Sequence, residues 1–175
     1  MTKMKVFKFG GASVKDAASV RNVATILERY QDHPLLCVVS AMGKTTNRLE
    51  ELVHAVHTGS AETREILAGI REFHLAITRE LVNDELNPVH NDTNNFLLEL
   101  ECLIETRPAE AGYDFLYDQI VGYGELIATR IISNYLLHVG KRNQWVDARN
   151  FILTDARYRE ARIQWNETKN LIGRM

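Results

Sequence analysis

A lysine and two glycines at the end of the first apolar segment form the strongest local signal for chemistry. Lys8 closes a strand predicted over residues 6–9, and Gly10 and Gly11 follow it directly before a helical pattern. Glycines expose backbone amides and allow close approach, helix amino ends attract anionic oxygens, and the lysine adds a positive charge. Lys8, Gly10, Gly11 and Ser13 are therefore candidates for phosphate binding. An ordinary turn beside a surface lysine is the alternative.

A second polar group follows the apolar run 35–39. Ser40 and Thr46 flank a Gly-Lys-Thr sequence that imitates the end of a P-loop, but the position five residues before that glycine is Val38 rather than a second glycine. We therefore reject a P-loop enzyme. The hydroxyls of Ser40 and Thr46 lie beside helix-start amides and predict binding of a carboxylate or a phosphate. Helix capping by Thr45 or Thr46 is the alternative.

A third signal is the sequence Gly122-Tyr123-Gly124-Glu125 inside a helical pattern. Each glycine costs about 1 kcal/mol relative to alanine in a helix, so another interaction should compensate for it. Close approach of a ligand or of neighbouring backbone would do so, with Glu125 aimed at an ammonium group. Tight helix packing beside a solvated glutamate is the alternative.

The order of the predicted elements indicates an α/β fold. A helical pattern over residues 14–30 joins the strands 6–9 and 35–39, and the second strand, a continuous apolar run, should be buried on both faces. Parallel strands of this kind place functional loops at their carboxyl ends, where both polar groups stand. Residues 144–147 predict a third strand.

Helices are predicted over most of residues 48–137, with a loop at 84–95, a helix at 96–105, a long helical stretch that Gly140 ends, and a further helix start near Asn166. The apolar stripes that define the predicted helices are Val20, Val23 and Leu27; Leu49, Leu52, Val53 and Val56; Ile66, Ile70, Phe73, Ile77 and Leu81; and Leu116, Ile120, Tyr123, Ile127, Ile131 and Tyr135.

Composition fits one globular domain, since 175 residues with 45% hydrophobic and 25% charged side chains can bury a core. A net charge of −2 gives no electrostatic footprint for nucleic acid or an anionic membrane, and no apolar stretch approaches the ~18 residues of a membrane span. We therefore predict a cytoplasmic protein without nucleic-acid or membrane partners.

Cys37 and Cys102 lie in apolar runs and are predicted to be buried. The six histidines suggest no metal site; His54 and His57 are interpreted as surface or packing residues.

Taken together, these segments resemble the aspartate kinases of the amino-acid kinase family. The amino-terminal signature of that family is Lys-Phe-Gly-Gly-Thr-Ser-Val, and residues 8–14 differ from it only at Ala12, which removes a hydroxyl but spares the backbone amides. The other matching segments follow in order along nearly the whole chain: 38–41 with 46–47, 124–126, and 147–149 with 154–155.

The resemblance implies phosphorylation of the side-chain carboxylate of L-aspartate by ATP and Mg²⁺, the first step towards lysine, threonine and methionine. Lys8, with the amides of Gly10 and Gly11, would stabilise the transferred phosphoryl group. The residues expected to contact L-aspartate are Ser40, Thr46 and Glu125. The glutamate would pair with the amino group of the substrate.

The resemblance also implies a three-layer α/β sandwich with a mainly parallel sheet, the amino-acid kinase or carbamate kinase-like fold, incomplete at the carboxyl terminus. The later Gly-Arg-Gly-Gly-Ser-Asp segment of the family is not found, since Gly173-Arg174 is followed by Met175 and the end of the sequence. We expect residues 1–175 to be the amino-terminal part of a catalytic domain without a regulatory ACT domain. Such a chain should show little or no kinase activity, place most nucleotide contacts beyond residue 175, and self-associate or dissolve poorly. The parent enzyme is expected to be a homo-oligomer.

Three alternatives remain. Another member of the same family would phosphorylate glutamate, acetylglutamate, carbamate or a nucleotide instead. A non-catalytic α/β module would bind a partner through an exposed sheet edge. A mononucleotide-binding fold is disfavoured, because the third glycine of its motif is missing and Ser40 stands where an acidic residue should end the second strand.

Overall fold

The structure, a computed structural model, describes residues 3–174, so the predicted domain limits at Met1 and Met175 lie outside the described residues. Strands β1 (Lys5–Phe9) and β2 (Leu35–Val39) form a parallel two-stranded sheet. Helix α1 (Ala17–Glu28) connects them, which confirms the predicted βαβ unit. The Asp16 side chain caps α1 by accepting a hydrogen bond from the Ser19 N–H at 2.7 Å.

Helices make up most of the remaining chain. They are α2 (Thr45–Thr58), α3 (Thr63–Leu81), α4 (Pro88–Thr106), α5 (Tyr113–Val121), α6 (Tyr123–His138) and α7 (Trp165–Ile172), with short 3₁₀ turns at Gly11–Val14 and Ala148–Asn150. The apolar stripes predicted for α1, α2, α5 and α6 are all buried. Helix α6 runs through the centre of the core, where Ile127 and Ile131 are fully buried. The α/β fold class is therefore confirmed.

The buried stripe of α3 differs from the predicted one. Leu67, Ile70, Ile77 and Leu81 are buried, whereas Phe73 is 37% exposed and the neighbouring His74 is 0% exposed. His74 lies four residues after Ile70 and three before Ile77, so it belongs to the same face of the helix. Because histidine is polar, a stripe defined by apolar residues does not include this position.

Two helix boundaries also differ from prediction. The loop predicted over 84–95 is shorter, since α4 begins at Pro88, where Asn87 caps it by accepting from the Val89 N–H at 3.1 Å. Proline suits this first helical position because its missing N–H would have no partner there. The long helical stretch is two helices that meet at Gly122, and Gly140 follows the second one with a φ of 75°, as predicted for a terminator.

The predicted third strand at 144–147 is wrong, because this part of the described chain is extended without a strand partner. Its anchor is a side chain instead. Trp145 packs beside Phe96 and Arg130 and donates a hydrogen bond from Nε1 to the Thr129 Oγ1 at 3.0 Å. Trp145, one of the two apolar residues that suggested a strand, therefore packs against α4 and α6, whereas Val146 is 39% exposed.

The tail after this segment is tied to α5. An isolated antiparallel bridge joins Thr154 to Ile163, and the chain between them turns at Arg159, whose φ is 65°. This left-handed conformation is unfavourable for residues other than glycine. The Arg159 N–H donates to the Asp118 carboxylate at 2.9 Å, and the guanidinium lies 4.5 Å from the Tyr117 ring centroid. These contacts hold the turn against α5.

The outer face of the sheet is exposed and apolar. Val6, Leu36 and Val38 share this face and are 65%, 50% and 49% exposed. The prediction that β2 is buried on both faces is therefore wrong, as are the predictions that Cys37 and Cys102 are buried. Helices cover only the opposite face, towards which Phe9 and Val39 point. Among the described helices, none combines the length and apolarity needed to cross a membrane.

We expect this outer face to drive self-association, because contiguous exposed apolar surface favours contact between copies. The double variant Leu36→Thr/Val38→Thr places β-branched residues, which suit a strand, at both positions and should bring the average mass at high concentration closer to the 20.0 kDa of one chain. Light scattering over a concentration series measures this. Leu98→Gln, which alters an exposed leucine of α4, is the control, and equal effects of both changes would contradict the prediction.

Candidate functional site

The carboxyl ends of β1 and β2 are joined by backbone hydrogen bonds. The Ser40 N–H donates to the Phe9 carbonyl at 3.0 Å, and the Gly43 N–H donates to the Gly11 carbonyl at 3.0 Å. The glycine loop, residues 10–13, is therefore fixed against the 40–46 loop. Two of the segments predicted to carry chemistry thus form one structure.

Gly11 is required by the closeness of these loops. A Cβ atom at this position would lie 2.8 Å from the Ala41 carbonyl oxygen and 2.9 Å from that of Gly43. Both are backbone atoms, which cannot move aside as a flexible side chain could. A close backbone approach therefore explains the glycine at this position.

Lys8 lies over the glycine loop. Its Nζ atom is 3.4 Å from the position that a Cβ of Gly10 would occupy, and the side chain is exposed. Within residues 3–174, the Gly11 and Ala12 N–H groups donate to no backbone carbonyl. An ammonium group and free amides at one loop suit an anionic oxygen. Ser13 sits further along, where its N–H donates to the Gly10 carbonyl at 2.8 Å and its side chain is exposed.

Helix α6 closes the other side of the 40–46 loop. A Cβ on Gly124 would lie 2.8 Å from the Ala41 Cβ and 3.1 Å from the Leu49 Cδ1, so this glycine permits close packing. The half-buried carboxylate of the next residue, Glu125, accepts a hydrogen bond from the Ala41 N–H at 3.2 Å. Each of the two explanations of Gly124-Glu125 is therefore correct in part. The helix packs tightly at Gly124, and the Glu125 carboxylate faces the 40–46 loop.

The threonines at the start of α2 do not cap it. The residue at the capping position is Lys44, and no side chain supplies a capping hydrogen bond. The hydroxyl of the buried Thr45 lies 3.4 Å from the His74 Nε2 instead, and Thr46 is half-buried in the first turn. The capping alternative is therefore wrong, and the Thr46 side chain lies at the loop without that role.

His74 is the one polar group at the loop that sequence reasoning missed. Its Nδ1 lies 2.8 Å from the Ile70 carbonyl oxygen, and burial lowers the pKa of the imidazole from 6.5 to about 4, although this hydrogen bond opposes the change. The histidine is therefore neutral at pH 7. Its place on the α3 stripe is the sequence signal that could have revealed its burial.

The structure thus unites Lys8, Gly10, Gly11 and Ser40 at the ends of the two strands, with Glu125 joined to them through Ala41. The segment 147–149 pairs internally instead. The Asp147 carboxylate accepts hydrogen bonds from the Arg149 guanidinium, which holds the pKa of that carboxyl below its ordinary value. The clefts of about 960 Å³ between α2 and α3 and of about 440 Å³ beside residues 144–151 contain none of the predicted site residues.

The site also offers no preformed metal cage. Across residues 3–174, no three side chains of His, Cys, Asp or Glu are grouped so that they could hold a metal ion. The exposed His54 and His57 are surface residues, as predicted. The described residues therefore supply no cage of three such ligands, whereas Mg²⁺ usually binds through one or two carboxylates and substrate phosphates.

Helices packed on a parallel sheet, with a lysine and a glycine loop at the carboxyl ends of its strands, define an α/β domain whose candidate site lies at that edge. The chain belongs to the amino acid kinase family, which it matches over residues 3–175.

The chain is similar to several aspartokinases. Aspartokinase 2, chloroplastic, of Arabidopsis thaliana is 34% identical over 161 residues, which cover 86% of this chain and 28% of that protein. The structure of E. coli aspartokinase III in complex with aspartate and ADP has a TM-score of 0.85 at 26% identity and covers 99% of this chain and 37% of that one. The complex of the same enzyme with lysine and aspartate has a TM-score of 0.83 at 28% identity, covering 97% and 37%. The predicted resemblance is confirmed, and the chain spans roughly a third of the length of these relatives.

The contact between Gly124 and Ala41 should be testable by paired substitution. Gly124→Ala should lower the free energy of unfolding by up to about 2 kcal/mol, because overpacking costs about 1–3 kcal/mol and the higher helix propensity of alanine offsets about 1 kcal/mol. Adding Ala41→Gly removes the opposing methyl group and should restore part of the loss. Urea unfolding measures both variants.

Gly69→Ala is the matched control for this pair, since nothing lies within 4 Å of a Cβ at that position of α3. It should stabilise the protein by about 0.5–1 kcal/mol. A stabilising Gly124→Ala, or a loss that Ala41→Gly deepens, would contradict the contact.

Acid should weaken the fold through His74. The folded pKa of about 4 lies below the unfolded 6.5, so the unfolded state binds the proton first as the pH falls. The resulting contribution of His74 to the free energy of unfolding, about 3 kcal/mol, is complete above pH 6.5 and is lost as the pH falls towards 4. In His74→Gln the free energy of unfolding should fall less steeply between these limits. The free energy of unfolding is measured by urea unfolding at each pH. If it falls equally steeply with pH in both proteins, the prediction is wrong.

Proposed function

We propose that this chain supplies the amino-terminal part of the catalytic domain of an aspartate kinase, which transfers a phosphoryl group from ATP to the side-chain carboxylate of L-aspartate. The observation that carries the proposal is the junction of three segments at one edge. The glycine loop and Glu125 both hydrogen-bond to the 40–46 loop. The relatives support it, since one was solved with aspartate and ADP.

The phosphate half of the site would consist of Lys8 and the glycine loop. An exposed ammonium group above Gly10, with the free amides of Gly11 and Ala12, would neutralise charge on the transferred group. Ser13, whose hydroxyl is exposed at the end of the loop, would contribute a further donor. ATP supplies the phosphoryl group when bound, and Mg²⁺ would have to arrive with it, because the described residues offer no metal cage.

The substrate half would consist of Ser40, Thr46 and Glu125. The half-buried Glu125 keeps its second carboxylate oxygen available, because only Oε1 accepts from the Ala41 N–H. A carboxylate in such a position suits the α-ammonium group of an amino acid. The hydroxyls of Ser40 and Thr46 stand at the two ends of the same loop and would donate to the substrate carboxylates.

Several finer expectations stay predictions. They concern a role in lysine, threonine and methionine synthesis, a cytoplasmic site of action, a homo-oligomeric parent enzyme, and little or no kinase activity of residues 1–175 alone. The curated relative from Arabidopsis is named chloroplastic, so the compartment differs among similar proteins.

Binding of L-aspartate to this chain tests the proposal. Glu125→Gln keeps an acceptor for the Ala41 N–H and removes only the charge, so it should raise the Kd about 10- to 100-fold, as expected for a charged hydrogen bond. Lys8→Ala should leave this Kd unchanged and weaken binding of ATP, which carries the transferred phosphoryl group. Isothermal titration calorimetry measures both ligands.

The controls are Glu65→Gln and Lys3→Ala, which remove the same charges at exposed positions outside the site. Titrations with L-glutamate, acetylglutamate and carbamate distinguish the other members of the family. The proposal fails if the chain binds none of these acceptors, or if Glu125→Gln binds L-aspartate as the unaltered chain does. Tighter binding of another acceptor would reassign the substrate.

A further inference from the structure

Helix α3 supports the 40–46 loop from beneath with two neighbouring aromatic rings. The Phe73 Cζ lies 3.5 Å from the position of a Gly43 Cβ, and the ring of Phe73 meets that of His74 edge to face at 5.1 Å. His74 is fully buried, and its Nε2 faces the buried Thr45 hydroxyl. The loop therefore rests on α3 at both its glycine and its first helical residue.

The hydrogen bonds assign the tautomer of His74. A carbonyl oxygen can only accept, so the Nδ1 at 2.8 Å from the Ile70 carbonyl must carry the proton. Nε2 is then an acceptor, and the Thr45 hydroxyl at 3.4 Å donates to it. Each ring nitrogen thus has a distinct partner, one in its own helix and one in the loop.

A polar pair at this depth needs a reason. Replacing two buried hydrogen-bonded groups by apolar groups of similar shape is often nearly neutral for stability, so the pair contributes little that packing could not. The pair does fix the orientation of the Thr45 side chain. A hydroxyl with one acceptor fixes the χ1 angle of the β-branched Thr45, whose methyl group lies 3.6 Å from the position of a Gly124 Cβ.

Thr45 transmits this constraint to the site. Its N–H donates to the Met42 carbonyl at 2.9 Å, which closes the turn of the 40–46 loop, and the next residue is Thr46. Met42 is itself fully buried. The orientation of the first turn of α2 therefore depends on where the Thr45 side chain is held.

We infer that His74 is a positioning residue for the acceptor site, acting through Thr45 to set the place of Thr46 and of the loop amides. The inference rests on the proposed function for its ligand, L-aspartate. His74 touches no substrate in this role; it orders a residue beside one that does.

Two substitutions and their combination test the inference at pH 7. Thr45→Val keeps the branched shape and removes the hydroxyl, while His74→Phe keeps an aromatic ring and removes both nitrogens. Each should raise the Kd for L-aspartate about tenfold, and the double variant should bind as weakly as either single one, because both remove the same interaction. Additive losses, or unchanged affinities in folded variants, would overturn the inference.

Thr78→Val is the matched control. Thr78 is also fully buried in α3, but its hydroxyl donates to the Leu75 carbonyl of the same helix. It should lower the melting temperature without changing the Kd. If Thr78→Val weakens binding as much as Thr45→Val, general loosening of α3 explains the effect and the positioning role is refuted. Should His74→Phe not fold, the comparison of the two threonine variants decides alone.

Nuclear magnetic resonance separates this inference from the proposed function. Long-range nitrogen spectra should show the His74 proton on Nδ1, and the amide signals of residues 41–46 should move in Thr45→Val and not in Thr78→Val. If the unaltered chain binds no L-aspartate, the proposed function fails, yet these amide shifts still decide whether His74 sets the loop. Unmoved signals would refute the positioning role whatever the ligand.

Discussion

Ala41 is enclosed by two glycines. A Cβ at Gly11 would lie 2.8 Å from its carbonyl oxygen, and a Cβ at Gly124 would lie 2.8 Å from its own Cβ. The glycine loop and α6 can therefore approach the 40–46 loop from opposite sides only because both lack a side chain there. Without that approach, Lys8 and Glu125 would belong to separate surfaces, and no common ligand could contact both.

Enclosure of a loop creates a demand for hydrogen-bond partners, since a buried backbone group without one costs about 1–3 kcal/mol. In this loop, the hydrogen-bond partners come from the glycine loop, α6 and α3. The Ala41 N–H donates to Glu125, and the Gly43 N–H donates to Gly11. The Thr45 hydroxyl, which would otherwise be stranded beneath the loop, meets His74. With these groups occupied, the half-buried side chains of Ser40 and Thr46 stand at the two ends of the loop.

Local patterns predicted local structure well. The stripe Leu49, Leu52, Val53 and Val56 forms one buried face of α2, because helical periodicity depends only on neighbouring residues. The motif segments likewise lie where strand-end geometry places them. Failures came where distant partners decide: residues 144–147 found no strand to pair with, and His74 is buried because of the loop above it. The contacts of Gly11 and Gly124 with Ala41 could not be predicted from spacing, since they join residues far apart in the chain.

Burial along the two strands explains how so small a sheet can hold a site. Exposed residues occupy the middle of each strand on the outer face, whereas the last residue of each, Phe9 and Val39, is buried among the helices. The last residues of both strands therefore belong to the helical core, where β2 packs against α6. Every residue proposed to bind the acceptor lies at the carboxyl ends of the strands or on α2 and α6.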